Sequence, residues 1–330
     1  MRRLTALLLA GALSTSLATS LAACGSDGEP GAAPLVLVDF AATPGTEPGD
    51  VIALRSTTDD GVTRVEWIER RTGRIRSVTF GQLAEPNGVG WQHADAPVGP
   101  VETVASVEVG TDGEQRGLLG HTVIDGVRYA AWTEPTANHL LVGEVDADGA
   151  GRIVWDAGAT AGGAVGGHLE TDADGDLILG IGQLTDWAKA HGSGAMLELD
   201  PAGPVDQVPV VVSDGYINPF AFTTADAQLW VADNAVGADA ERIGRGDLGG
   251  RDTFTPTGVE PRAPSAMIAL DDGSIAVCGF LDALLRPWSP DTGTYGDTLG
   301  PCLTGAAVLE DGSIVTVTAD ALVLLPSPTR

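Results

Sequence analysis

Short runs rich in Val, Ile, Leu, Thr and Trp alternate with Gly, Asp and Pro along most of the chain. Short β-branched and aromatic runs bounded by turn formers predict strands, and little of the pattern repeats at helical spacing. One theme recurs: an acidic turn, usually ending in Gly, followed by a short strand. Asp59-Asp60-Gly61 precedes Val62–Ile68, Asp125-Gly126 precedes Val127–Trp132, and Asp174-Gly175 precedes Asp176–Leu179. A weaker copy, Ala225-Asp226-Ala227, precedes Gln228–Ala232. Asp271-Asp272-Gly273 precedes Ser274–Val277, and Glu310-Asp311-Gly312 precedes Ser313–Val317.

The turns fall at Gly61, Gly126, Gly175, Ala227, Gly273 and Gly312, in steps of 65, 49, 52, 46 and 39 residues. A four-stranded blade takes about 40–50 residues, and Asp-Gly supplies the positive φ of a tight hairpin. Six copies predict an all-β fold, a six-bladed β-propeller of four-stranded antiparallel blades. A closed ring leaves no long exposed edge, which favours it over an open array of sheets. The long first step marks an inserted loop around Ala84–Pro100, rich in Pro and Gly and carrying Trp91 and His93. A strand at Pro34–Phe40 or at Val51–Arg55 is expected to join the last strands near Ala321–Leu325 and close the ring. Residues 35–330 show no internal boundary and are expected to form one domain.

The N-terminus breaks the pattern. Met1-Arg2-Arg3 is a basic head, an apolar run reaches Leu21, and Leu21-Ala22-Ala23-Cys24 follows. That order predicts a secretory signal over residues 1–23. A Cys after two small residues resembles a bacterial lipobox, which implies lipidation at Cys24, cleavage before it and anchoring at the outer face of the membrane. Residues 24–34, rich in Gly, Pro and Ala, are expected to be a flexible tether. No later stretch is long and apolar enough to span a bilayer, so the expected membrane contact is the lipid alone. The formal charge is −27, and Lys189 is the only lysine. So acidic a surface excludes nucleic acid and anionic lipid headgroups as partners. With Cys24 lipidated, Cys278 and Cys302 remain. Outside the cytoplasm such a pair is expected to form a disulfide, with two buried thiols as the alternative.

Several segments, in order from about residue 51 to 325, resemble the glucose/sorbosone dehydrogenases. These are six-bladed propellers that oxidise sugars with pyrroloquinoline quinone and calcium. Ile68-Glu69-Arg70-Arg71-Thr72-Gly73-Arg74-Ile75 is similar to an early strand and turn of that family. Gly113-Glu114-Gln115-Arg116-Gly117-Leu118-Leu119-Gly120 is the most specific match. Gly166-Gly167-His168-Leu169, Gly215-Tyr216-Ile217-Asn218-Pro219-Phe220, Leu229-Trp230-Val231-Ala232-Asp233 and Ala263-Pro264-Ser265 follow in register.

The resemblance implies cofactor contacts at Gln115 and Asn218, and calcium near Asp239 and Glu241. It also places the family's proton-abstracting histidine at Ala164 and cofactor-holding arginines at His168, Ile217, Cys302 and Thr304. Alanine takes no proton, and a quinone with three carboxylates needs cations. His168 is therefore a candidate displaced base, and His121, just after the most specific match, a second candidate base or ligand at the channel. His93, His139 and His191 are expected on loops or the surface. Asp172-x-Asp174-x-Asp176 lacks the Gly and Glu of an EF-hand loop and is expected to be a hairpin turn. The tryptophans are expected in the core, except that Trp91 and Trp187 lie in loops where one could stack on a sugar. No phosphate-binding loop or nucleophile elbow is present. Two functions follow: a quinone-dependent oxidoreductase acting on a sugar or similar alcohol, or a non-catalytic propeller that binds a ligand or protein partner.

Overall fold

Asp125 and Gly126 both take positive φ, 50° and 80°, the pair of left-handed residues that a two-residue hairpin requires. The hairpin they close joins Leu118–Ile124 to Val127–Thr133. The computed structural model repeats this arrangement around a ring. It describes residues 34–47, 49–59, 62–81, 98–113, 115–159, 165–182, 194–234, 241–247, 255–256 and 262–328. Backbone contacts divide the chain into Met1–Gly31 and Ala32–Arg330. The predicted leader and Cys24 lie outside the described residues, as do His93, His191, Trp91, Trp187, Ala164 and Asp239.

Six antiparallel sheets form from consecutive strands. Blade 1 is Val51–Asp59, Val62–Glu69, Arg74–Gly81 and Glu102–Ser106. Blade 2 is Leu118–Ile124, Val127–Thr133, His139–Asp146 and Gly149–Ala159. Blade 3 is Gly166–Thr171, Leu177–Ile181, Ala195–Leu199 and Val210–Asp214. Blade 4 is Ala221–Ala225, Gln228–Asp233, Arg242–Arg245 and Thr255–Pro256. Blade 5 is Pro264–Ala269, Ile275–Gly279, Leu284–Ser289 and Thr294–Tyr295, with Gly300–Pro301 also paired to its third strand. Blade 6 is Ala306–Val308, Ile314–Val317 and Ala321–Leu325, completed by the N-terminal strand Leu35–Asp39. Of the two closing strands the sequence offered, Leu35–Asp39 pairs with Ala321–Leu325, while Val51–Asp59 opens blade 1.

Alternation along each strand sends side chains to both faces of a blade, so each interface between blades becomes a core. Six buried clusters result. Val51, Leu54, Trp67 and Phe80 pack with Leu322 and Leu324 between blades 1 and 6. Ile52, Ile68 and Ile75 turn the other way, onto Leu118, Ala130 and Trp132 of blade 2. The remaining clusters join blades 2 and 3, 3 and 4, 4 and 5, and 5 and 6. Trp67, Trp132, Trp155 and Trp288 are buried, and Trp230 meets Trp288 edge-on at 5.7 Å. Cys278 and Cys302 form a disulfide with Cα atoms 5.4 Å apart, fastening the chain after blade 5 to that blade's second strand. Among the described residues no helix is long and apolar enough to cross a membrane.

Candidate functional site

The first strand of every blade is its innermost, and these strands surround an axial channel. Among the described residues, the inner strands of blades 2 to 6 run into the acidic turns that join them to their second strands. The channel holds about 340 Å³, within the range of small-molecule sites. Its lining includes Arg55 and Ser56 of blade 1, His168, Glu170 and Thr171 of blade 3, Thr223 and Thr224 of blade 4, and Ser265 of blade 5.

His168 reaches the channel because the strand carrying it starts with a bulge, a register shift between Gly166 and Leu169. Gly167 takes φ +98°, and a Cβ there would lie 2.5 Å from the Cβ of Leu119, so only glycine fits. The His168 ring packs edge-on against Phe222 at 4.7 Å, and its Nε2 lies 3.2 Å from Glu170 Oε1. A histidine paired with a carboxylate beside a polar channel has the parts of an acid–base dyad.

His121 is placed differently. Its side chain is fully buried, and neither ring nitrogen has a hydrogen-bond partner. Burial holds its pKa well below the ordinary histidine range, and the nearby charges of Arg55, Arg128 and His168 add to this. Glu66 Oε2 lies 3.8 Å from Nε2, beyond hydrogen-bond distance. Arg128 already binds that carboxylate twice, through Nη2 at 2.5 Å and Nε at 3.1 Å. His121 is a neutral core residue between blades 1 and 2. His139 stands at a strand end with its Nδ1 3.0 Å from Asp156 Oδ1.

Arg55, which sequence reasoning missed, is the arginine of the channel lining. Its Nη1 donates to Thr122 Oγ1 at 2.7 Å, and the Thr122 and Thr171 hydroxyls share a bond of 2.7 Å. Its Nε is buried without a hydrogen-bond partner. The signal was legible: a cation stands directly after Val51-Ile52-Ala53-Leu54, in the innermost strand of a blade.

At the face where the inner strands begin, the loops before blades 2 and 4 bring Gln115 and Asn218 together. Asn218 Nδ2 donates to Gln115 Oε1 at 3.3 Å. Asp233 fixes Asn218 from below, its Oδ1 accepting the backbone N–H groups of Ile217 and Asn218 at 3.0 and 2.8 Å. Glu241 is buried, and its two oxygens accept the N–H groups of Arg262 and Ala263 at 2.8 and 2.7 Å. Arg262 itself binds Asp282 and covers the Tyr295 ring at 4.8 Å. Asp172 Oδ1 accepts the N–H groups of Asp174 and Asp176, both at 2.9 Å, the hairpin cap its sequence suggested.

Among the described residues, these groups do not fit a tricarboxylate quinone with calcium. Arg55 is the channel's arginine, while Arg262 at the mouth is committed to Asp282. Glu241 accepts a backbone N–H group on each oxygen, and among the described residues no cluster of three His, Cys, Asp or Glu could hold a metal. The buried Asn218 Oδ1 without a hydrogen-bond partner calls for a donor and repels a carboxylate.

No protein-family model and no curated protein matches the sequence. Solved structures do match in fold. One described as glucose dehydrogenase aligns with a TM-score of 0.62 at 15% identity, covering 89% of this chain and 99% of that one. The PQQ-bound form of an aldose sugar dehydrogenase from Streptomyces coelicolor aligns with a TM-score of 0.60 at 18% identity, covering 89% and 97%. A gluconolactonase from Xanthomonas campestris follows at 0.52 and 13%, covering 92% and 96%. Identities this low carry no activity across, and what they establish is that this chain has the six-bladed propeller fold of the glucose dehydrogenase structures it resembles.

Proposed function

We propose that this protein is a lipid-anchored envelope propeller that binds a small ligand in its axial channel and no longer carries out quinone-dependent sugar oxidation. The reading rests on the committed state of the mouth. Glu241 serves the backbone of Arg262 and Ala263, Arg262 serves Asp282, and the described channel lining offers a single arginine. A trianion entering a chain of formal charge −27 needs more positive partners than that. The family's base position falls on Ala164. The remaining lining, with the hydroxyls of Thr223 and Thr224 and the His168–Glu170 pair, suits a polar ligand such as a sugar.

One observation favours a second reading, that of a working sugar oxidoreductase. Gln115 and Asn218, picked as cofactor contacts, do meet at the mouth, and His168 with Glu170 could serve as a displaced base. Dye reduction separates the two. With added quinone, calcium and a panel of aldoses, the binding-protein reading expects no sugar-dependent reduction; sustained turnover abolished by His168→Ala would establish the second. The anchor has its own test. Labelled fatty acid should incorporate at Cys24 in a bacterial host and fail to do so in Cys24→Ser.

A further inference from the structure

Arg55 lines two cavities. Beyond the axial channel it borders a second space of about 530 Å³ between blades 1 and 2, on the side of the acidic turns. Arg64 and Arg128 line the same space, with Thr57, Thr79 and Glu66. Among the described lining residues three guanidinium groups face one carboxylate, an excess of positive charge that Glu170, near Arg55, offsets only in part. The chain as a whole carries −27, so this pocket reverses the sign of its surroundings.

The three arginines are not equally committed. Arg128 holds Glu66 through two hydrogen bonds and is satisfied. Arg64 lies 4.0 Å from the same carboxylate, beyond hydrogen-bond reach, with 45% of its side chain exposed. Arg55 has no carboxylate within ion-pair distance among the described residues, and its Nε is buried without a hydrogen-bond partner. Desolvation lowers its pKa, with Glu170 and Glu66 partly offsetting this, as for a buried cation short of a counter-ion. Guanidinium groups with N–H donors to spare are the usual partners of phosphate oxygens.

We propose that this turn-side pocket is a binding site for a phosphate group, held by Arg55 and Arg64 with Thr57 and Thr79 beside it. A phosphate dianion answers this positive excess. A neutral sugar leaves it unmatched, and a carboxylate brings one charge where phosphate brings up to two. The site lies at the opposite end of the inner strands from Gln115 and Asn218 and shares only Arg55 with the channel lining.

The test is calorimetric titration of the purified protein with inorganic phosphate, with acetate and glucose as comparison ligands. Phosphate should bind saturably and more weakly as salt is raised, acetate should bind less tightly, and glucose should not compete. Arg64→Gln, at a largely exposed position, should weaken phosphate about tenfold or more, as expected for a lost charge-assisted contact. Arg55→Gln should do the same, and circular dichroism and melting would verify that both variants fold. Absence of saturable phosphate heat overturns the proposal. So does phosphate binding that both variants retain at wild-type strength. Neither result touches the channel reading, which is tested with quinone and sugars.

Discussion

Asn218 Nδ2 donates to Gln115 Oε1 at 3.3 Å across 103 positions of sequence. The bond ties the loop entering blade 2 to the loop entering blade 4. Gln115 takes part from a left-handed backbone at φ 54°, and Asn218 is held in place by the buried carboxylate of Asp233. Asp233→Ala should therefore cost about 2–3 kcal/mol, because a buried and a half-buried N–H group lose their shared acceptor. Asn218→Ala, which keeps those backbone bonds, should cost about 1 kcal/mol. Urea unfolding of the two variants checks the ranking, and equal losses would show that Asp233 does not organise the mouth.

The ring was legible because each blade announces itself locally. Asp125-Gly126 and Asp272-Gly273 are turn chemistry that needs no tertiary context. The sequence alone does not choose between Pro34–Phe40 and Val51–Arg55 as the closing strand, because both read as strands; only pairing to Ala321–Leu325 separates them. Much of the site was hidden for a different reason. Asp233 and Glu241 are acids whose role is to accept backbone N–H groups from distant loops, and nothing local in the sequence encodes such a partner. Arg55 was overlooked although an arginine after an apolar run is a visible departure.

The fourth turn departs from the Asp-Gly theme. Asp226 and Ala227 take φ of 49° and 57°, conformations that cost a side-chain-bearing residue energy. Ala227 is exposed and gives up no packing. Ala227→Gly should stabilise the protein by about 0.5–1 kcal/mol, the relief of strain outweighing the added chain entropy. A lower melting temperature in the variant would contradict this.

His121 links stability to pH. The folded chain holds its imidazole neutral, while the unfolded chain protonates it near the ordinary value of 6.5. Below that value the unfolded state binds more protons, so stability from this group is present above pH 6.5 and lost as the pH falls. His121→Leu, which suits a site offering neither nitrogen a hydrogen bond, should flatten the stability profile between roughly pH 5 and pH 7. An unchanged slope would assign the acid sensitivity to other groups.

The disulfide closes a loop between positions 24 apart. Loop entropy assigns such a crosslink about 3 kcal/mol. The double variant Cys278→Ser with Cys302→Ser should unfold at correspondingly lower urea, and wild-type protein under reductant should move toward it. If reductant changes nothing while the thiols titrate as free, the crosslink does not form in solution.

The central claim is that the channel has given up the quinone, and direct binding tests it without reference to turnover. Titrating the purified protein with pyrroloquinoline quinone in excess calcium, followed by calorimetry and by the quinone's absorbance, should give no saturable signal. Tight one-to-one binding would contradict the account and restore a cofactor to the mouth beside Gln115 and Asn218.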